Sequence, residues 1–211
     1  MLGLHVREPI SRLLAPFIGL LVRAGVSPDV VTTIGTIGVS AGAIVFFPRG
    51  HFFWGTITIT CFVFSDLIDG QIARALGRTS VWGAFLDSTL DRVGDAAIFG
   101  SIAFWYAGDG RSLPLCGAAL GCLVAGSVTS YVKARAEALG LSANVGFAER
   151  AERLIIVLVC AGLYGLGVPY LLPAALWFLL GATIITVVQR LVEVRKQAVL
   201  FEERKAGQAV T

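Results

Sequence analysis

Charge is scarce in this sequence of 211 residues: Asp, Glu, Lys and Arg make up 15%, against 56% hydrophobic residues. That balance excludes an ordinary soluble domain. Metal-binding thiol patterns are missing as well. Cys61, Cys116, Cys122 and Cys160 form no CxxC pair and have no histidine close by, so they read as buried, reduced thiols. The opening stretch, MLGLHVREPISRLLAPF, carries charges within its apolar residues and lacks a small-residue cleavage site. It is therefore not expected to be a signal peptide. No nucleic-acid partner is expected.

What the chain does have is long apolar runs. They predict an all-α integral membrane protein of six transmembrane helices, roughly 29–47, 52–77, 83–107, 115–138, 149–166 and 171–195. Pro48-Arg49-Gly50, Gly108-Asp109-Gly110 and Gly167-Val168-Pro169 break the runs. Residues 4–24 mix Arg7, Arg12 and Arg23 with apolar side chains, as in an amphipathic helix lying on the membrane surface. Residues 196–211 are polar and read as a loose tail. The whole of 1–211 is thus expected to be one membrane domain. Of the 17 Lys and Arg residues, all but Arg49 and Arg111 fall in the N-terminal arm, near the 78–82 turn, in the 133–153 region or at the C-terminal end. This asymmetry predicts that both termini face the cytoplasm, in the plasma membrane.

The second and third spans then form a hairpin that bends near Gly77-Arg78-Thr79-Ser80 on the cytoplasmic side. Asp69 and Asp66 lie on one arm, and Asp87 and Asp91 on the other, at similar depth from the bend. Spacings of three and four residues keep each pair on one helix face, about 60° and 40° wide. Four ionised acids so close together would repel, and each charge at membrane depth costs at least about 2.5–3.5 kcal/mol. Pairing with Arg74 and Arg92 would leave two acids uncompensated. Divalent cations would compensate all four, and all-oxygen ligands favour Mg²⁺ or Mn²⁺. Two such ions can clamp a phosphate between attacking and leaving oxygens.

The stretch Asp66-Leu-Ile-Asp69-Gly70-Gln-Ile-Ala73-Arg74, then eight residues, then Gly83-Ala-Phe-Leu-Asp87-Ser-Thr-Leu-Asp91 resembles the signature of the CDP-alcohol phosphotransferases at every fixed position. The six-span plan with its surface helix resembles the same family. The resemblance implies two Mg²⁺ ions, with Mn²⁺ as the other candidate. Asp66, Asp69 and Asp87 would bind one ion, and Asp66, Asp87 and Asp91 the second. Asp91 would also be the catalytic base. A homodimer is implied too, and Gly117, Gly121, Ala125 and Gly126 would allow close helix packing between subunits or within one.

Ser27-Pro28-Asp29 makes a good helix start by itself: an N-cap, a proline in the first turn and an acid beside it. By resemblance Pro28, Asp29, Val30 and Val31, with Gly70, Arg74 and Ser80, would form the surface that binds CDP-diacylglycerol. Cations gather near the cytoplasmic ends of the last three spans: Lys133 and Arg135, Arg150 and Arg153, Arg190 and Arg195. Either the positive-inside rule and lipid headgroups explain them, or they form a pocket for a phosphate on the second substrate. The segment from Ser130 to Glu137, with that from Asn144 to Leu154, is similar to the actinobacterial phosphatidylinositol phosphate synthases, which use 1L-myo-inositol 1-phosphate and release CMP. Lys133, Arg153 and a last-span arginine would then bind the inositol phosphate. Arg195 is preferred to Arg190, and Arg135 is a lesser candidate. Asp95, one turn beyond Asp91, has no assigned role.

The implied reaction transfers the phosphatidyl group of CDP-diacylglycerol to inositol phosphate in a membrane. One alternative is a phosphatidylglycerophosphate synthase acting on glycerol 3-phosphate. The other is a divalent-cation transporter, against which stands the lack of paired mid-membrane breaks or an internal repeat. Chelation is expected to abolish turnover by the purified protein, with added Mg²⁺ or Mn²⁺ restoring it. Full turnover in excess chelator would contradict the metal reading.

Overall fold

The computed structural model describes residues 27–63 and 80–208, with side-chain surroundings through residue 202. The expected surface helix over 4–24, the 64–77 part of the second span, and Asp66, Asp69, Gly70 and Arg74 lie outside these residues. Among the described residues six helices follow one another: α1 (Pro28–Phe46), α2 (Phe52–Val63), α3 (Val81–Ala107), α4 (Leu113–Ala138), α5 (Arg150–Gly165) and α6 (Leu171–Gln208). A single 3-10 turn at Phe47–Arg49 joins the first two. No strand occurs among the described residues.

Local chemistry sets the helix starts. The Ser27 hydroxyl accepts from the Val30 N–H at 3.4 Å, with Pro28 and Asp29 in the first turn. Ser80 does the same for α3, accepting from the Gly83 N–H at 2.8 Å. Each cap satisfies an amide that the first helical turn leaves without a partner.

The helices close into a ring. α1 packs on α3, α3 on α4, α4 on α6, α6 on α5, α5 on α2, and α2 back on α1. Phe47, Phe52, Ile98, Ile102, Leu172 and Leu176 belong to its apolar core. Phe52 stacks on Phe47 at 5.1 Å and meets Trp105 and Tyr164 edge-on at 5.7 and 5.0 Å. This aromatic cluster sits near the C-terminal ends of α3 and α5. The charged residues of both helices occupy their N-terminal halves, so one end of the ring is apolar and the other polar.

Outward faces are apolar too: Ile37, Ile44, Phe104, Trp177, Phe178 and Ile184 are all more than half or about half exposed. Such a belt suits lipid rather than water. The chain is a membrane protein. Pro28–Arg49, Leu113–Ala138 and Leu171–Glu202 are long and apolar enough to cross a bilayer by length and composition. The other helices expected as spans fall short for identifiable reasons. α3 has 27 residues but carries Asp87, Asp91, Arg92 and Asp95. α5 has 16 residues and begins with Arg150, Glu152 and Arg153. α2, Phe52–Val63, has 12 described residues.

The last helix differs most from expectation. It has 38 residues and runs through Gln208, so the segment from 196, expected as a loose tail, continues the helix. At about 57 Å it exceeds the roughly 30 Å of a hydrocarbon core. Its extension is tied to the α4–α5 loop. The Gln197 side chain accepts from the Ser142 N–H and donates to the Ser142 carbonyl, both at 2.9 Å.

Glycines let neighbouring helices approach. A Cβ on Gly121 would lie 2.9 Å from Leu180 of α6, and one on Gly165 only 2.3 Å from the backbone nitrogen of Phe53. A side-chain neighbour can shift, whereas a backbone atom of a packed helix cannot easily do so. Gly165→Ala is expected to destabilise the protein by about 1–3 kcal/mol, the usual cost of overpacking. Gly181→Ala, with nothing within 4 Å of the added atom, should be neutral or slightly stabilising. Thermal unfolding of both variants in detergent checks the contrast, and equal melting temperatures would contradict it.

Candidate active site

Along α3, Asp87, Asp91 and Asp95 recur every four residues and so share one helix face. Asp87 is exposed, Asp91 is half-buried, and Asp95 is 6% exposed. The acid stripe therefore runs from the open end of the ring into its interior.

Arginines meet it from α5. Arg150 Nη1 lies 2.8 Å from Asp91 Oδ1, and its Nε donates to Asp95 Oδ1 at 3.1 Å. Arg153 Nη2 lies 3.6 Å from Asp95 Oδ2. Arg92, on α3 itself, reaches Asp95 at 3.6 Å and Asp91 at 3.8 Å, and donates to the Ser130 hydroxyl of α4. Because α3 and α5 are not neighbours in the ring, these pairs bridge its interior. Sequence reasoning considered Arg92 as a partner for the acids but missed Arg150 and left Asp95 unassigned. The readable signal was the three-residue spacing of Arg150 and Arg153, which puts both on one face at the start of an apolar helix.

Arg153 is 2% exposed. Its Nη1 donates to the Ala148 carbonyl at 3.4 Å, while its Nε has no hydrogen-bond partner among the described residues. The guanidinium lies over Gly126 of α4, where a Cβ would come within 2.9 Å of Nη2. Arg190 of α6 is 3% exposed. It donates through Nε to the Val145 carbonyl at 3.0 Å and through Nη1 to the Thr129 carbonyl at 2.8 Å, and its Nη2 lies 3.8 Å from Glu149. An arginine has five N–H donors, so three of them remain for another oxygen. Nearby, Gly146 has a φ of 107°, and a Cβ there would strike Thr186 at 2.3 Å. The glycine lets the loop settle against α6, where the Ala148 N–H donates to the Thr186 hydroxyl at 3.3 Å.

The two buried arginines thus meet one stretch of α4, residues 126–129. Lys133 lies one turn further along that helix, half-buried and without an ion pair among the described residues. Arg135 and Arg195 are exposed. Arg195 sits five residues past Arg190, about 140° around the helix. Arg190, rather than the Arg195 preferred from sequence, is therefore the last-helix cation facing α4.

On the other side of the acid stripe the N-termini of α1 and α3 lie together. A Cβ on Gly83 would be 3.1 Å from the Ser80 hydroxyl and 3.4 Å from Asp29 Oδ1. Pro28, Asp29 and Val31 are half-buried there, and Val30 and Ser80 are exposed. The carboxylates of Asp87 and Asp91, one turn apart, are hard oxygen donors of the kind Mg²⁺ and Mn²⁺ accept. They fit half of the expected ligand set; its other half, Asp66 and Asp69, lies outside the described residues. No group of three or more candidate metal ligands occurs among the described residues.

Carboxylates facing buried arginines, inside a ring with an apolar outer surface, define a membrane protein with a charged interior. The match is specific: residues 25–189 fit the CDP-alcohol phosphatidyltransferase family model, and the chain belongs to that family. It is 57% identical over 205 residues to a protein of Streptomyces avermitilis named phosphatidylinositol phosphate synthase, covering 94% of this chain and 84% of that one. A Cutibacterium acnes protein of the same name is 48% identical over 200 residues, covering 91% and 97%. The fold resembles the crystal structure of the Mycobacterium tuberculosis phosphatidylinositol phosphate synthase with CDP-DAG bound, with a TM-score of 0.83 and 45% identity over 87% of this chain and 94% of that one. A second structure of that enzyme, in complex with manganese and citrate, gives a TM-score of 0.82 at 46% identity, over 85% and 87%. Family membership sets aside the cation-transporter alternative.

Proposed function

We propose that this protein transfers the phosphatidyl group of CDP-diacylglycerol to 1L-myo-inositol 1-phosphate and releases CMP. The observation that carries the reading is the approach of buried Arg153 and Arg190 to the same turn of α4, with Arg153 paired to Asp95 one turn beyond Asp91. A phosphate on the acceptor needs such a cationic pocket, and a free alcohol does not. The shared name of the relatives and the CDP-DAG bound in the mycobacterial structure support the same substrates.

Donor and acceptor have separate sides. Pro28, Asp29, Val30, Val31 and Ser80, with Gly70 and Arg74, take the CDP moiety, and the diacyl tails stay in lipid. Lys133, Arg153 and Arg190 hold the inositol phosphate. Asp66, Asp69, Asp87 and Asp91 hold two Mg²⁺ ions, a reading supported by the manganese complex of the mycobacterial enzyme. When bound, the ions supply positive charge for the transferring phosphoryl group and the departing CMP. Asp91 accepts the proton of an inositol hydroxyl. That oxygen bonds to the β-phosphorus as the bond from phosphorus to the CMP oxygen breaks. Six spans, both termini in the cytoplasm, a plasma-membrane location and a homodimer complete the proposal.

The test is CMP release by purified protein with each substrate varied in turn. Inositol phosphate should support much faster release than glycerol 3-phosphate. Asp91→Asn should slow turnover by about 10²–10⁴-fold. Arg153→Ala should raise the KM for inositol phosphate by roughly 10- to 150-fold, as expected for loss of a charge-assisted contact, with little change in that for CDP-diacylglycerol. Faster turnover of glycerol 3-phosphate would overturn the acceptor assignment and leave the phosphatidyltransferase chemistry standing.

A further inference from the structure

Asp95 belongs to neither the acid signature nor the cation set, yet it has more ion-pair partners than any other charged group among the described residues. It is buried and lies within 3.1–3.6 Å of Arg92, Arg150 and Arg153. Two of these come from α5, across the interior of the ring. An isolated carboxylate in that setting would carry a large desolvation cost, as would each guanidinium without a counter-charge. Among the described residues Arg153 has little else to hold it: one 3.4 Å bond to the Ala148 carbonyl, an Nε without a partner there, and the flat surface over Gly126.

We propose that Asp95 is the positioning residue of the acceptor site, aiming the Arg153 guanidinium at the acceptor's phosphate across Gly126 and holding Arg150 beside Asp91. The role rests on the phosphate-acceptor reading given above. Asp95 has no contact with substrate in this account; it acts through the arginines. Two features separate it from a general stabilising ion pair. Its Oδ1 binds the same Arg150 that touches Asp91, so one carboxylate sets the spacing between the base and the phosphate-binding arginine. Its Oδ2 takes only one edge of Arg153, which leaves the unpartnered Nε and the rest of the guanidinium for a ligand oxygen.

The experiment measures both KM values of the full-length enzyme in detergent for the parent, Asp95→Asn, Arg153→Ala and the double variant. Asp95→Asn keeps the shape and removes the charge. Its KM for inositol phosphate should rise about tenfold or more, with the KM for CDP-diacylglycerol within about twofold of the parent. Adding Asp95→Asn to Arg153→Ala should change the acceptor KM little further, because the residue to be aimed is gone. Asp95→Glu, which restores the charge, should recover part of the loss. If Asp95→Asn does not fold, pairing it with Arg92→Gln removes one of the three cations and reads the same split. A raised acceptor KM in Arg153→Ala but a parental one in Asp95→Asn overturns the positioning role alone. Equal effects on both substrates, or additive effects in the double variant, also overturn it. An unchanged acceptor KM in Arg153→Ala overturns the phosphate pocket and this role with it.

Discussion

Everything at the polar end of this molecule depends on how buried charge is compensated. Asp91 and Asp95 on α3 face Arg150 and Arg153 on α5, with Arg92 between them. A single charge at membrane depth costs at least about 2.5–3.5 kcal/mol, so none of these groups can be left alone. Breaking one pair strands the other members, which is far costlier than never having built the cluster. The arrangement therefore ties together two helices that are not adjacent in the ring. Arg190 does comparable work at the next corner, joining α6 to the Thr129 and Val145 carbonyls.

This division of labour follows from the ring itself. Aromatic packing around Phe52 closes one end, and its outer surface meets lipid. The other end is free to hold charge. Capped N-termini of α1 and α3 lie on one side of the acid stripe, and buried arginines on the other. In the proposed reaction a lipid-linked nucleotide and a small phosphorylated alcohol approach the same carboxylates from different directions, which suits a transfer between substrates of opposite solubility.

Local features were readable from sequence, and long-range ones were not. The Ser27 helix start is a three-residue signal, and its cap forms; Ser80, read from sequence only as part of the bend and of the donor surface, caps α3. The acid spacing on α3 is equally local, and the family signature made the chemistry legible. By contrast, the Asp95–Arg150 bond joins residues 55 positions apart. Predicting it needs the order of helices around the ring, which spacing does not encode. Arg190 and Arg195 are alike in type and neighbourhood, and only the rotation of α6 separates a buried, backbone-bound arginine from an exposed one. The length of α6 was missed because polar composition after residue 195 was read as loss of structure, whereas Gln197 ties that extension to Ser142.

The central claim is that buried arginines beside the carboxylates select an acceptor that already carries a phosphate. It is tested most directly by offering the purified enzyme CDP-diacylglycerol with equal amounts of inositol phosphate and free inositol, and weighing the lipid product by mass spectrometry. The expected product is a lipid whose inositol headgroup retains its own phosphate, with little or none of the unphosphorylated form. A product made chiefly from free inositol would contradict it.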